Sequence, residues 1–378
     1  MRKFTYILCC LILLASCEER FRDMKQGQPI YLSVTIPDAP LAKVPFEGSA
    51  PTSSNPLNVS VWASTTPEVF LNRDLDGSEA DGHLVSIHTY GHFQSGEPQL
   101  LSQAIYPPPR RGESGSYVAD PVYFVAMHPQ SSGQKVWSTD GEGKTANFTF
   151  TGCEDVMFAP QVYGAYDTQA QNQIVNVSPE LAFEHLLTRI SVKMVIVLEE
   201  DENRLDVQNA WGNVTGMKIQ SYDALAGGVL EGLNRVTVDL SKGTSFDYGS
   251  DLSYDYVGVG SSIGTSMDFY CLGNDSTFPG APLLLTDQVS EVAYVMCAPV
   301  EATDASHEYV ITVTTENRGD QQVVLDLMNN AAGDKFVGST RGKHFGVTLK
   351  FKKGSAIATS AAVTEWQNGG YGSGVIED

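Results

Sequence analysis

Arg189-Ile190-Ser191-Val192-Lys193-Met194-Val195-Ile196-Val197-Leu198 is the stretch on which the fold class turns. Ile190, Val192, Met194, Ile196 and Leu198 share one parity, and Arg189, Ser191, Lys193, Val195 and Val197 share the other. A two-residue period belongs to a strand, whose successive side chains point to opposite faces. The same period recurs at Ile30 to Ile36, Leu57 to Ala63, Val236 to Leu240 and Phe345 to Lys352. Between such runs, 35 glycines and 18 prolines punctuate the chain, so the expectation is all-β with sandwich architecture.

In chain order, Ile30, Leu32, Val34 and Ile36 form the inward face of the first strand, and Leu57, Val59, Val61 and Ala63 that of the second. Pro37 to Pro56 between them is proline-rich and small-polar, a surface loop. Its only basic residue is Lys43. A trypsin-like protease would therefore cut there, separating the first strand from the rest. Further strands are expected at His83 to Phe93, Tyr117 to His128 and Ala146 to Thr151, with Val156 to Ile174 looser. Ser178-Pro179-Glu180 either caps a short helix or leads into a strand.

A domain boundary is placed near residue 180, giving domains over 17–180 and 181–378. Beyond it, Glu199 to Arg204 reads as an acidic turn and Met217 to Tyr222 as a strand. Strands at Glu291 to Met296, Tyr309 to Thr314 and Val323 to Met328 complete the second domain.

Residues 1–16 carry Arg2 and Lys3, the apolar run Phe4 to Leu14, and small residues ahead of Cys17. This is a secretory signal, and Leu14-Ala15-Ser16-Cys17 resembles the bacterial lipobox, in which the cysteine is acylated and becomes the mature N-terminus. Glu18 and Glu19 follow, as in the surface-export signal of Bacteroidetes lipoproteins. The formal charge of −21, more negative by two once the signal leaves, repels nucleic acid and anionic head groups. Cys9 and Cys10 leave with the signal, so Cys153, Cys271 and Cys297 remain and cannot all pair. Cys297 lies in an apolar run that suits a small buried thiol.

Phe183-Glu184-His185-Leu186-Leu187-Thr188-Arg189-Ile190-Ser191-Val192 resembles the mid-chain signature of the Bacteroidetes fimbrillin-like proteins. Gly342-Lys343-His344-Phe345-Gly346-Val347-Thr348-Leu349-Lys350-Phe351 and Ala362-Val363-Thr364-Glu365-Trp366-Gln367-Asn368-Gly369-Gly370 do the same. Asn55-Pro56-Leu57-Asn58-Val59-Ser60-Val61-Trp62-Ala63 is similar to that family's first strand after its processing loop. The resemblance implies two transthyretin-like β-sandwich domains in tandem, exported as a lipoprotein to the outer membrane surface and assembled into a type V fimbria. It also implies that a protease cuts the loop, the first strand departs with its lipid, and a neighbouring subunit's strand fills a groove lined by Leu57, Val59 and Val61. The partners implied are other fimbrial subunits and a host or bacterial surface ligand, glycan or protein. Where the family commonly has arginine at its processing site, this loop has Lys43. In the tail after Trp366 only Val375 and Ile376 are apolar enough to dock, which points to a tip or accessory position instead of a bulk stalk.

Motifs of catalysis stand without their contexts. Gly260-Ser261-Ser262-Ile263-Gly264 matches a nucleophile elbow, but no helical period follows Ser262. Asn72, Asp74, Asp76 and Gly77 match the start of a calcium loop, yet its twelfth position is His83 where a bidentate glutamate is needed. His88 and His92 share a strand face that His83 does not, which disfavours a three-histidine zinc site. His185 reads as a packed histidine at the domain boundary. Gly338 to His344 lacks the spacing of a phosphate loop. The chain is therefore read as non-enzymatic, with no cofactor. The rival reading is a lipid-anchored glycan binder that stays monomeric, with Trp137, in a polar loop between Lys135 and Asp140, as the sugar-stacking side chain.

Overall fold

The computed structural model describes residues 30–36, 51–53, 56–71, 86–95, 97–102, 104–105, 109–111, 117–119, 121–132, 136–164, 179–223, 228–230, 235–255, 266–272, 276–299, 301–302, 307–326, 338–339, 341–354 and 357–365. The protein is built of strands in stacked antiparallel and mixed sheets. Thr188–Ile196 is the middle strand of five, in the order Tyr270–Cys271, Ser290–Cys297, Thr188–Ile196, Lys343–Phe351, Ala358–Glu365. It pairs antiparallel with Ser290–Cys297 and parallel with Lys343–Phe351. Across from this sheet lies a second, ordered Gly228–Leu230, Val214–Asp223, His307–Thr315, Gly319–Asp326. Ile190, Val192, Phe345 and Val347 from one sheet meet Met217, Ile219, Ile311 and Val313 from the other in one buried core. Phe345, Val347, Leu349 and Phe351 alternate with partly exposed Gly346, Thr348 and Lys350, the pattern their spacing requires.

The acidic turn expected at Glu199 to Arg204 is the approach to a helix, Arg204–Trp211. Asn203 accepts from the backbone N–H of Asp206, and the Asp206 carboxylate accepts from the N–H of Asn203, a reciprocal capping box. The helix is short and mostly polar, so periodicity alone does not reveal it; its anchor is tertiary. Val207 and Trp211 enter the sandwich core, where the Trp211 indole N–H donates to the carbonyl of Lys352 at 2.8 Å. An Asn203→Ala variant is expected to lose about 1 kcal/mol, read as a small drop in urea midpoint with an unchanged slope.

In the first half a five-stranded antiparallel sheet runs in the order Glu184–His185, Met157–Gly164, Val122–His128, Leu57–Ser64, Ser86–Phe93. Met157–Gly164 corrects the looser reading of Val156 to Ile174 over those residues. Pro160, which cannot donate to a ladder, sits where the register with Val122–His128 shifts, at a bulge that tolerates it. After Pro179 the chain continues as the strand Glu180–Ala182, so the strand alternative holds there.

Leu57–Ser64 is buried on both faces, not one. Leu57, Val59, Val61 and Ala63 face one core, while Trp62 faces another that contains Trp137, Phe148, Val236, Val238, Tyr294 and Met296. That second core lies under a sheet ordered Leu252–Asp255, Arg235–Asp239, Thr145–Thr149, Ser138–Thr139. Arg235–Asp239 thus pairs across residue 180 with Thr145–Thr149, and the two halves of the chain share this sheet and its core.

Candidate functional site

The first strand is the most unusually placed element. Residues 30–36 are hydrogen-bonded along both edges. On one side the Ile30 N–H donates to the Ile105 carbonyl at 2.9 Å, while Leu32 and Gln99 exchange N–H to carbonyl bonds of 2.9 and 2.8 Å. On the other, the Ser33 N–H donates to the Pro179 carbonyl at 3.1 Å and the Phe183 N–H to the Thr35 carbonyl at 2.9 Å. The pairing is parallel to Glu180–Ala182 and antiparallel at the Leu32–Gln99 bridge. Even-numbered residues bond to one neighbour and odd-numbered residues to the other, because successive backbone groups of an extended chain point to opposite edges.

Ile30, Leu32, Val34 and Ile36 are each at most 4% exposed, and Thr35 is open to solvent. Leu57, Val59 and Val61 are fully buried in the same core. Phe124, Ala126, Met157 and Ala159 extend the floor, and Leu101, Ile105, Leu181 and Phe183 stand along the sides. These last four come from segments whose pairing with the first strand is long-range. At the scale of about 1.5–3 kcal/mol per fully buried aliphatic side chain, the strand's four anchors stabilise by roughly 6–12 kcal/mol as an upper bound.

Two residues after Phe183 comes a buried polar pair. The His185 Nδ1 lies 2.8 Å from Asp155 Oδ1, with the side chains 2% and 0% exposed. Met157 pairs with His185 on one side and His128 on the other, so the two imidazoles flank one residue of the sheet. Burial pushes the His128 imidazole below its ordinary range, against the opposing pull of Asp155 and of its 2.7 Å bond to the Asn58 carbonyl. His185 is thus packed at the junction of the two halves, as its signature suggested, and faces no open cleft.

Trp137 is corrected. It is 0% exposed, in contact with Phe148 at a centroid distance of 5.0 Å, so it offers no face to a sugar. Its polar surroundings in sequence concealed this, because Thr145–Thr149 and Val236 build the core around it only in three dimensions. Trp62 is core as well, stacked on His88 at 4.5 Å. His88 and His92 do share a strand face, His92 being exposed beside Asn58. Cys153 and Cys297 are buried and Cys271 is half-buried, and none of the three is in a disulfide. Among the described residues, no three His, Cys, Asp or Glu side chains converge as a metal site, and no helix is long and apolar enough to cross a membrane. Cys17, Lys43, Asn72, Asp74, Asp76, Gly77, His83, Ser262 and the tail after Trp366 lie outside the described residues.

Fold and site together define an all-β protein of stacked sheets whose first strand is hydrogen-bonded along both of its edges. No family model matches the chain, and no curated protein matches it. Solved structures are similar to it. One is a candidate cell adhesion protein from Bacteroides uniformis, at TM-score 0.42 and 16% identity, covering 90% of this chain and 98% of that one. Another is a fimbrial protein from Bacteroides vulgatus, at TM-score 0.37 and 13% identity, over 89% and 99% of the two chains. A third, from Bacteroides thetaiotaomicron, is described as a candidate polysaccharide binding protein, at TM-score 0.40 and 10% identity, over 89% and 96%.

Proposed function

We propose that the protein is a structural or adhesive subunit of a surface fimbria, in a tip or accessory position, assembled by replacement of its first strand. The observation that carries this reading is the strand at 30–36, held by main-chain bonds on both edges and by four apolar anchors. If it left, the edge of the Glu180–Ala182 strand, the backbone groups of Gln99 and Ile105 and an apolar trench would stay behind, a surface that calls for another strand. The loop bearing Lys43 follows directly, so one cut there would turn the strand into a separate peptide. Cys17, as the acylated residue, would tether the chain to the outer membrane until that cut, and a surface ligand of glycan or protein nature would be met afterwards.

The burial of the anchors also says that cutting alone does not release the strand. A loss of up to roughly 6–12 kcal/mol is comparable with the whole stability of an ordinary domain, so the cut peptide stays seated until a competitor arrives. The expected result of mild trypsin treatment is one nick in Pro37 to Pro56, a new N-terminus at Val44, and co-migration of the two pieces under native conditions. Nicked chains that then form multimers, or cap a fimbrial subunit supplied in trans, support the reading. A chain that resists cleavage throughout that loop, or nicked chains that never associate, would overturn it, and so would a Lys43→Ala variant cut at the same rate.

A further inference from the structure

Under the first anchor the floor of the slot carries no side chain. Gly164 is buried at the end of the Met157–Gly164 strand, paired with Val122. A Cβ built on it would sit 3.1 Å from both Cδ1 and Cγ2 of Ile30 and 3.5 Å from Cγ1. Its register partner Val122, and Val162 two residues back on its own strand, carry side chains to the same core. The Gly164 backbone is not in the left-handed region, so conformational freedom does not explain the glycine there. What it supplies is room.

We infer that Gly164 sets the register and side-chain requirement of any strand that occupies the slot: a β-branched residue of isoleucine size over Gly164, then apolar residues at two-residue steps. The inference rests on the strand-exchange reading and adds to it the chemistry of the partner. A strand slipped by one residue would turn its apolar set away from the core. A strand slipped by two would keep its parity but bring a different side chain over Gly164 and leave one end of the slot unfilled, with the contacts there lost. Adjacent apolar residues such as Val375 and Ile376 point to opposite faces of a strand, so only one of such a pair could enter.

The test uses the full chain, nicked in Pro37 to Pro56, unfolded in urea and diluted into excess labelled peptide, so that resident strand and peptide compete for the slot during refolding. The probes are synthetic peptides of residues 28–37, one with the native sequence and one carrying Ile30→Ala. The wild-type protein should favour the native peptide by about 30-fold or more, the scale of an Ile to Ala truncation in a core. In a Gly164→Ala protein that preference should fall by about tenfold or more, because the new methyl occupies the space of the Ile30 branches. The double variant Gly164→Ala/Ile30→Ala removes the clash and provides a folded comparison if the single variant is poorly stable.

Equal capture of both peptides by the wild-type protein would overturn the assignment, as would a preference that Gly164→Ala leaves intact. Exclusion of every peptide by the returning resident strand would overturn it too. Selective capture combined with nicked chains that neither multimerise nor cap another subunit would sink the fimbrial reading and leave the register requirement standing. Assembly without selectivity would do the reverse.

Discussion

Replacing Leu32 by aspartate is expected to unseat the first strand and remove most of the stability of the N-terminal half. Leu32 is fully buried, and its backbone exchanges two hydrogen bonds with Gln99. An unpaired carboxylate at that point would cost several kcal/mol even after relaxation, on top of the lost leucine burial, a sum that reaches the seating energy of the strand. The cheaper response is expulsion, so the loss is capped by the seating energy of the whole strand, roughly 6–12 kcal/mol at most. Leu32→Ala, which leaves a void but no charge, should cost about 2–5 kcal/mol. Thr35→Asp, on the exposed parity of the same strand, should change stability by no more than about 0.5 kcal/mol. Urea denaturation followed by tryptophan fluorescence separates the three. Comparable losses for Leu32→Asp and Thr35→Asp would mean that the strand is not held by its even-numbered face.

A steep loss of stability in acid, traceable to one histidine, is the second expectation. His344 lies beside Arg189 on the neighbouring strand, with its Nε2 2.8 Å from the Ser191 hydroxyl. Burial first, then the positive charges of Arg189 and Lys193, push its pKa down to about 3. Arg189 is itself fully buried, and its guanidinium bonds Glu291 at 3.1 Å. An imidazole held neutral in the folded state and free to protonate in the unfolded one binds fewer protons when folded. Stability is then whole above the unfolded value near 6.5 and falls as the pH drops toward about 3. The slope from this one group approaches about 1.4 kcal/mol per pH unit, a few kcal/mol over the window. His344→Gln keeps a polar partner for Ser191 without titrating, so its stability should fall less steeply between pH 6 and pH 4, taken as the range of measurement. Parallel curves for the two proteins would show that this imidazole does not titrate there.

Strand existence was legible wherever one face of a strand is polar or the apolar parity is long. Phe345 to Phe351 and Ile30 to Ile36 could be read directly, because burial of one parity leaves a two-residue signature in the chain itself. Where the signal failed, a second contact had replaced it. Met157–Gly164 carries a proline at a bulge and is held by pairing on both sides. The helix Arg204–Trp211 shows only a capping box and two inward residues. The candidate slot was half legible: Leu57, Val59 and Val61 were in view from their alternation, while Leu101, Ile105, Leu181, Phe183 and Gly164 were not. They meet the first strand through contacts that span most of the N-terminal half, and nothing local marks such a meeting.

By itself the sequence determined the all-β class, the parity of each main strand, and the inward set Ile30, Leu32, Val34 and Ile36, since these follow from side-chain alternation and the cost of exposing apolar surface. Tertiary structure alone decided that this strand is hydrogen-bonded along both edges, that Trp137 is core and not a platform, and that Arg235–Asp239 completes a sheet begun by Thr145–Thr149. The reason is that hydrogen bonding between strands and closure of a core depend on which distant segments come together. Alternation tells a strand which face to bury and leaves its neighbours unspecified.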